Sequence, residues 1–392
     1  MDWKSASTKD GKVSIPDTWL FLHYYEALNI LFRMENSLRV FVYVVLKNRF
    51  KEKWAETTPQ TAEGEQSTIT ATAARRITQA KGFGYLGYEI ASPLMYLNSG
   101  ELIQIICSET YWSLFKPFFR GKKEIIKNKL DEIGSVRNAL AHFRPLKHDD
   151  VELIKQNVKH AFLGIEQCLE EMTQTHRVVP TNTEEQWYKN LITLGSSRCT
   201  INLFQDRAEQ WLRIEIDYQC ALLAPPYPGD YRSFHVTKLI SPAVIKSFPK
   251  IARHCTFMSE NVPFVTVTKD NTPEFRKEIS VVFGKTAIIE HHTEISDEIG
   301  NVLLQIETET ELVEKDALAR GKLIDSTRVS ASLHKGPENQ WWSARTESLR
   351  CEFGQDDPSE YWGETDVFVS DFIAESTRYP WMPSDISKDI SF

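Results

Sequence analysis

The amino-acid sequence predicts an α+β protein of two domains, an all-α helical bundle followed by a β-rich domain of sandwich or barrel type. Three observations lead there. At 392 residues the chain exceeds what one ordinary hydrophobic core serves. Up to about residue 175 the apolar side chains recur at three- and four-residue steps; beyond about residue 180 they fall into short runs rich in Val, Ile, Thr and aromatics. Charge divides at the same place, with 24 Lys+Arg and 21 Asp+Glu in residues 1–180 against 22 and 33 in residues 181–392. A polyanion is therefore favoured by the first half and repelled by the second. The expected domains are residues 1–178 and 185–392.

In order along the chain, residues 17–53 carry Leu20, Leu28, Leu31, Leu38, Phe41, Val42 and Val45 at helical spacing, with Asp17 or Thr18 as N-cap. This is one long helix, or two with a bend near Glu35-Asn36. Residues 56–80 are rich in Thr, Ala, Gln and Glu and read as an exposed insertion or a loosely packed helix. Asn98-Ser99 caps a helix ended by Pro117, another runs from about 122 to 143, and Pro145 stops it. A last helix covers about 148–173. In the second half strands are expected at 199–204, 211–223, 234–240, 264–268, 279–289, 302–310, 328–333 and 366–372, with a helix at 242–251.

No run of 18 apolar residues exists and Met1-Asp2-Trp3-Lys4-Ser5 leads into no signal-peptide core, so no membrane association and a cytoplasmic location are expected. The six cysteines form no C-x-x-C pair, which argues against zinc and against a disulfide framework. His254-Cys255 and His291-His292 are adjacent pairs whose members point to opposite sides of a strand, so neither pair makes a metal site by itself. No metal and no cofactor are expected. Gly82-Phe83-Gly84-Tyr85-Leu86-Gly87 matches a dinucleotide fingerprint in letters only, because the preceding residues are helical rather than strand-like.

The stretch with chemical content is Arg137-Asn138-Ala139-Leu140-Ala141-His142. A guanidinium is a permanent forked cation suited to phosphate, and an imidazole exchanges a proton near neutral pH. On a helix, Asn138 and His142 share a face, whereas Arg137 and His142 are splayed by about 140°. Arg144 lies seven residues after Arg137, on the same stripe. The pattern Arg-polar-x-x-x-His resembles the signature of the HEPN superfamily, and the resemblance covers residues 17–175, in the manner of HEPN domains of abortive-infection and other RNA-targeting proteins.

That resemblance implies a metal-independent endoribonuclease acting on single-stranded RNA, tRNA among the candidates, in antiviral defence or as a toxin. It implies a homodimer in which two motif helices face each other, so that both copies of Arg137 and His142 line one cleft. His142 would be general base on the ribose 2′-OH, Arg137 would stabilise charge on phosphorus, and Asn138 would orient the histidine or the phosphate. The products would be 2′,3′-cyclic phosphate and 5′-OH ends. Arg144 and the basic residues Lys122, Lys123 and Lys127 are candidates for phosphate contact, with a plain exposed face as the alternative. Glu35 and Arg39 break the apolar face of the first helix and could support the motif, or form a local ion pair. The β-rich domain would restrain the nuclease or receive a protein trigger or antitoxin. The alternatives are a non-catalytic HEPN dimerisation scaffold and a toxin docking a separate antitoxin.

Overall fold

The computed structural model describes residues 7–9, 12–14, 22–58, 67–83, 92–174, 178–223, 231–261, 263–268, 273–315, 321–336, 340–349, 351, 354, 356–364 and 379–381. The chain divides into two compact units, Met1–Glu170 with Phe368–Phe392, and Glu171–Val367. This differs from the expected division. The first unit is helical and the second β-rich, but the end of the chain groups with the helices, and the boundary lies before residue 178.

The helical unit opens with a small antiparallel hairpin, β1 (Ser7–Lys9) and β2 (Lys12–Ser14). Helix α1 (Leu22–Phe50) follows without interruption, so Glu35-Asn36 marks no bend. From residue 36 to 47 every side chain of α1 is buried, as expected of a helix surrounded by its neighbours. Phe41 meets the rings of Phe115, Phe118 and Phe119. Tyr43 lies edge-on to Trp54 and to Trp381, at 5.0 and 5.1 Å. Trp381 is 1% exposed, and the Tyr379 hydroxyl donates to the Arg33 carbonyl at 3.1 Å. The final described residues thus fill the core beside α1.

The segment expected as an exposed insertion or a loosely packed helix contains helix α2 (Ile69–Phe83), with Ile69, Thr72 and Ala73 buried. Its Arg76 makes a bidentate ion pair with Glu101, at 2.7 and 2.8 Å. Glu101 also closes a capping box with Asn98 at the start of α3 (Ser99–Cys107). The chain breaks after Ser108, makes the short α4 (Trp112–Phe115), and then enters α5 (Lys123–Ala141). The last expected helix is two, α6 (His148–Ala161) and α7 (Leu163–Gln174). Gly164 is required at that junction, since a Cβ there would lie 1.7 Å from the Phe118 carbonyl oxygen.

The β-rich unit begins with α8 (Gln186–Ile192) and has two sheets. The larger contains β3 (Cys199–Gln205), β4 (Trp211–Cys220), β6 (Cys255–Glu260), β8 (Pro273–Gly284) and β11 (Tyr361–Glu364) in the order β11-β6-β8-β4-β3, with β7 (Phe264–Val267) also pairing β8. The smaller has the order β10-β9-β5, from β5 (Tyr231–Leu239), β9 (Ile324–Lys335) and β10 (Gln340–Arg345). All described pairings are antiparallel except β11 with β6, and among the described residues neither sheet closes on itself. Between β5 and β6 lie α9 (Ser241–Ser247) and α10 (Pro249–His254), where one helix was expected.

Two expected strands are corrected. Residues 302–310, and the end of the 279–289 run, belong to α11 (Lys285–Glu314). Ile288, Ile295, Ile299, Val302, Leu303 and Ile306 follow a helical spacing and join the sheet residues Ile201, Ile214, Ile216, Ile279 and Val281 in one core. Leu304, the first residue of the alternating stretch that suggested a strand, is 65% exposed. The strand expected at 366–372 lies outside the described residues, as does Gly84-Tyr85-Leu86-Gly87.

Two buried polar devices tie this unit together. Glu309 of α11 accepts the backbone amides of Lys322, Leu323 and Ile324 at 3.0, 2.8 and 2.8 Å, fixing the approach to β9. Glu260 and Lys277, on neighbouring strands and at most 1% exposed, form an ion pair that the Tyr361 hydroxyl joins. Ser241 Oγ donates to the same carboxylate at 3.1 Å. Burial alone would lower the Lys277 pKa, but the Glu260 charge overrides it and holds the ammonium above its usual range. The described cysteines are free; burial raises the thiols of Cys107, Cys199 and Cys351 to about 11 and that of Cys220 to about 12, as befits packed apolar groups.

Removing one member of the Glu260–Lys277 pair leaves the other charge buried. Lys277→Met is expected to destabilise this unit by ~3–5 kcal/mol, and Lys277→Met combined with Glu260→Gln by less than that. Urea unfolding followed by tryptophan fluorescence checks the order; a double variant no better than the single one would refute it.

Candidate active site

The motif helix α5 is amphipathic, burying Ile126, Leu130, Ile133 and Val136 against the bundle. Its last turn emerges at the surface. Arg137 is half-buried, Asn138 is exposed, and His142 is the exposed C-cap residue. The helix ends in a Schellman arrangement: the Arg144 amide donates to the Ala139 carbonyl at 2.9 Å and the Phe143 amide to the Leu140 carbonyl at 3.0 Å. The residue at the turning position is Phe143, with φ of 53°, a conformation in which glycine is usual. Pro145 follows, and the Tyr24 hydroxyl clamps the exit by donating to the Arg144 carbonyl at 2.6 Å and accepting the Leu146 amide at 3.1 Å.

This cap corrects one expectation. Because the chain leaves the helix at Phe143, Arg144 does not continue the Arg137 stripe. It also occupies the carbonyls of Asn138, Ala139 and Leu140 with backbone amides. The His142 side chain makes no hydrogen bond among the described residues.

Beside the motif lies a cleft of about 390 Å³. Arg137, Leu140, Ala141 and Phe143 form one wall, and α1 supplies the other through Leu28, Phe32, Glu35 and Arg39 among others. Asn138 and His142 are not among its lining residues. Its charged floor is built from α1. Arg39 donates to Glu35, to Asn36 Oδ1 at 2.8 Å, and to the carbonyls of Leu94 and Leu97 at 3.2 and 3.0 Å. Burial pushes the Arg39 guanidinium below its usual range; Glu35 works against that shift and Arg137 adds to it. The second oxygen of Glu35 faces Arg137 Nε at 3.7 Å, and an Arg137 terminal nitrogen is 3.4 Å from Asn138 Oδ1. Two guanidiniums thus share one carboxylate, leaving one excess positive charge in the cleft.

The structure therefore brings Glu35, Arg39 and Arg137 together. It does not bring Lys122, Lys123 or Lys127 to them. Lys122 precedes the first turn of α5, ~22 Å along the axis from Arg137. Lys123 is paired with Glu109. The apolar side chains around the cleft are unusually open to solvent: Leu28 is 54%, Phe32 38% and Phe143 81% exposed. Sequence reasoning missed Tyr24 and Phe143, whose roles depend on the geometry of the cap.

In the β-rich unit Trp342, Tyr361 and Trp362 are buried, and Trp341 is 52% exposed. There the fold also brings His254 of α10 to His291 and Glu294 of α11, with donor atoms lying within 4.8 Å of one another. His254 ends α10 and His291-His292 lie within α11, so the strand geometry expected of both adjacent pairs does not hold, and one member of each pair meets here. No helix among the described residues is long and apolar enough to cross a membrane. Compared with family models, curated proteins and solved structures, the chain matches none.

Phe143→Gly keeps the left-handed turn and removes the ~1–2 kcal/mol that this conformation costs a residue with a Cβ, while sacrificing little burial. The expected result is slower hydrogen exchange of the amides of residues 143 and 144 at low protein concentration. Faster exchange would show that the ring stabilises the cap.

Proposed function

We propose that the helical unit is a HEPN-type, metal-independent endoribonuclease that cleaves single-stranded RNA as a homodimer. One observation carries the reading. Arg137 is held in a surface cleft by Glu35, and a turn later His142 stands exposed with its imidazole open to a ligand. A single chain thus offers a phosphate-binding cation and a proton-transfer group on one helix end but on different faces. Duplication across a two-fold axis sets the cation of one copy beside the histidine of the other. The exposed apolar side chains of Leu28, Phe32 and Phe143 suit such a contact.

In this mechanism His142 takes the proton of the ribose 2′-OH, whose oxygen attacks the adjacent phosphorus. The bond from phosphorus to the 5′-oxygen breaks, leaving a 2′,3′-cyclic phosphate and a 5′-OH once that oxygen is protonated. Arg137 stabilises the oxyanion charge as it develops. Glu35 sets the direction of the guanidinium, and Arg39, locked to two carbonyls, sets Glu35. Asn138 is one residue from Arg137 and in contact with it. Arg144 remains a candidate for phosphate contact through its exposed position, whereas the basic start of α5 would meet only a longer stretch of RNA. A role in antiviral defence or as a toxin, with the β-rich unit restraining the nuclease or receiving a protein trigger or antitoxin, completes the proposal.

A second reading is favoured by the same ion pair. A carboxylate 3.7 Å from Arg137 opposes phosphate binding, and an apolar cleft fits a dimerisation or binding scaffold without catalysis. The two readings separate on one experiment. Purified full-length protein is incubated with RNA in excess EDTA and the product ends are mapped. The ribonuclease reading expects cleavage with cyclic phosphate ends, no cut where the 2′-OH is replaced by hydrogen, and a loss of ~10²–10⁴-fold in His142→Ala. Cleavage undiminished in that variant, or absent from the wild type, would overturn it. A truncation at residue 185 is a poor test of restraint by the β-rich unit, because it also strips Tyr379 and Trp381 from the helical core.

A further inference from the structure

We infer that His254, His291 and Glu294 form a binding site for one divalent transition-metal ion, zinc foremost, that staples α10 to α11. The donor set is two imidazole nitrogens and a carboxylate oxygen, a set that zinc takes with a fourth position left to water. Three independent features of the backbone and side chains converge on it. First, α11 departs from helical geometry at a single residue, His291, with φ of −128° and ψ of 18°. Second, both imidazoles address the same oxygen: His254 Nε2 is 2.8 Å and His291 Nδ1 2.9 Å from Glu294 Oε1. Third, the two rings lie nearly parallel, 27° apart with centroids 4.2 Å from each other, although they come from different helices.

Without a metal, that arrangement requires both nitrogens to carry a proton toward one carboxylate oxygen. An ion at about 2.0–2.1 Å from each nitrogen replaces both protons and relieves the crowding of three donors within 4.8 Å. The opposite nitrogen of His291, Nε2, faces the Glu290 carboxylate at 3.9 Å, a distance at which Glu290 adds negative charge beside the site without a hydrogen bond to the ring. His254 is buried at the end of α10, so one side of the site is dry, whereas His291 and Glu294 are half-exposed and leave an entry path. Two imidazoles with one carboxylate favour zinc, cobalt or nickel over calcium or magnesium. The neighbouring His292 is engaged elsewhere, with Asn190 at 2.9 Å, and serves as a control.

The test uses the full-length protein, stripped with a chelator that is then dialysed away, and the metal alone as ligand. Zn²⁺ is expected to bind one ion per chain and to raise the unfolding temperature of the β-rich unit. Co²⁺ is expected to give the visible absorption of a tetrahedral nitrogen and oxygen site. His291→Gln and Glu294→Gln, both at half-exposed positions, are expected to abolish the stoichiometric site and the thermal shift while keeping the wild-type far-UV spectrum. His292→Gln, whose imidazole is engaged with Asn190, is expected to leave binding unchanged. Absence of a one-to-one site in the wild type, or equal binding by His291→Gln and Glu294→Gln, overturns the assignment. The site is independent of the ribonuclease reading, and RNA cleavage is not its readout.

Discussion

Helix α1 has no solvent face from residue 36 to 47, and the helical unit is organised by that constraint. A polar side chain in such a stretch must find its partners within the protein. Arg39 does so through Glu35, Asn36 and the two carbonyls of Leu94 and Leu97. Once Arg39 is satisfied in this way, Glu35 has one oxygen committed and the other turned to the surface, where it meets Arg137. The position of a surface guanidinium is thus inherited from the burial of an internal one. Loosening the 92–97 segment, whose carbonyls hold Arg39, would be felt at Arg137 without any contact between them.

The β-rich unit solves a comparable problem differently. Its strands and α11 carry charged residues into places where water does not follow, and two of these are met by partners from other elements: Glu260 by Lys277, Tyr361 and Ser241, and Glu309 by three consecutive amides. Such networks add little net stability over an apolar core, but they penalise incorrect pairing heavily, because each misplaced strand would strand a charge. Gly321 shows how tight the fit is, since a Cβ there would lie 2.1 Å from Glu309 Oε2.

Much of this was legible in the sequence, for reasons that individual residues make clear. The periodicity of α1 and α5, the cap at Asn98-Ser99 and the stop at Pro145 are local signals, and the helix-then-sheet layout follows from them. The closeness of Glu35 and Arg39 to the motif was foreseen as an option. What sequence could not carry is anything that depends on a single dihedral angle or on chain return. Phe143 in the left-handed region turns Arg144 off the helix, and no residue type announces a phenylalanine there. Leu304-Gln305-Ile306-Glu307 alternates over four residues and imitates a strand, while the pattern that decides for helix spans the whole of α11. His254 and Glu294 lie 40 residues apart, and their meeting depends on the irregular turn at His291.

Tyr379 and Trp381 lie beyond the whole of the β-rich unit in sequence, yet Trp381 fills the space beside Tyr43 in the middle of α1. Synthesis runs from the N-terminus and early domains ordinarily fold first. Here the helical core lacks two aromatic side chains until the intervening unit has emerged from the ribosome. A wall of the cleft is affected too, because Phe32 packs edge-on against Tyr379. The finished cleft is accordingly a late product of translation, and a nascent or prematurely terminated chain displays the motif helix without the support that shapes its surroundings.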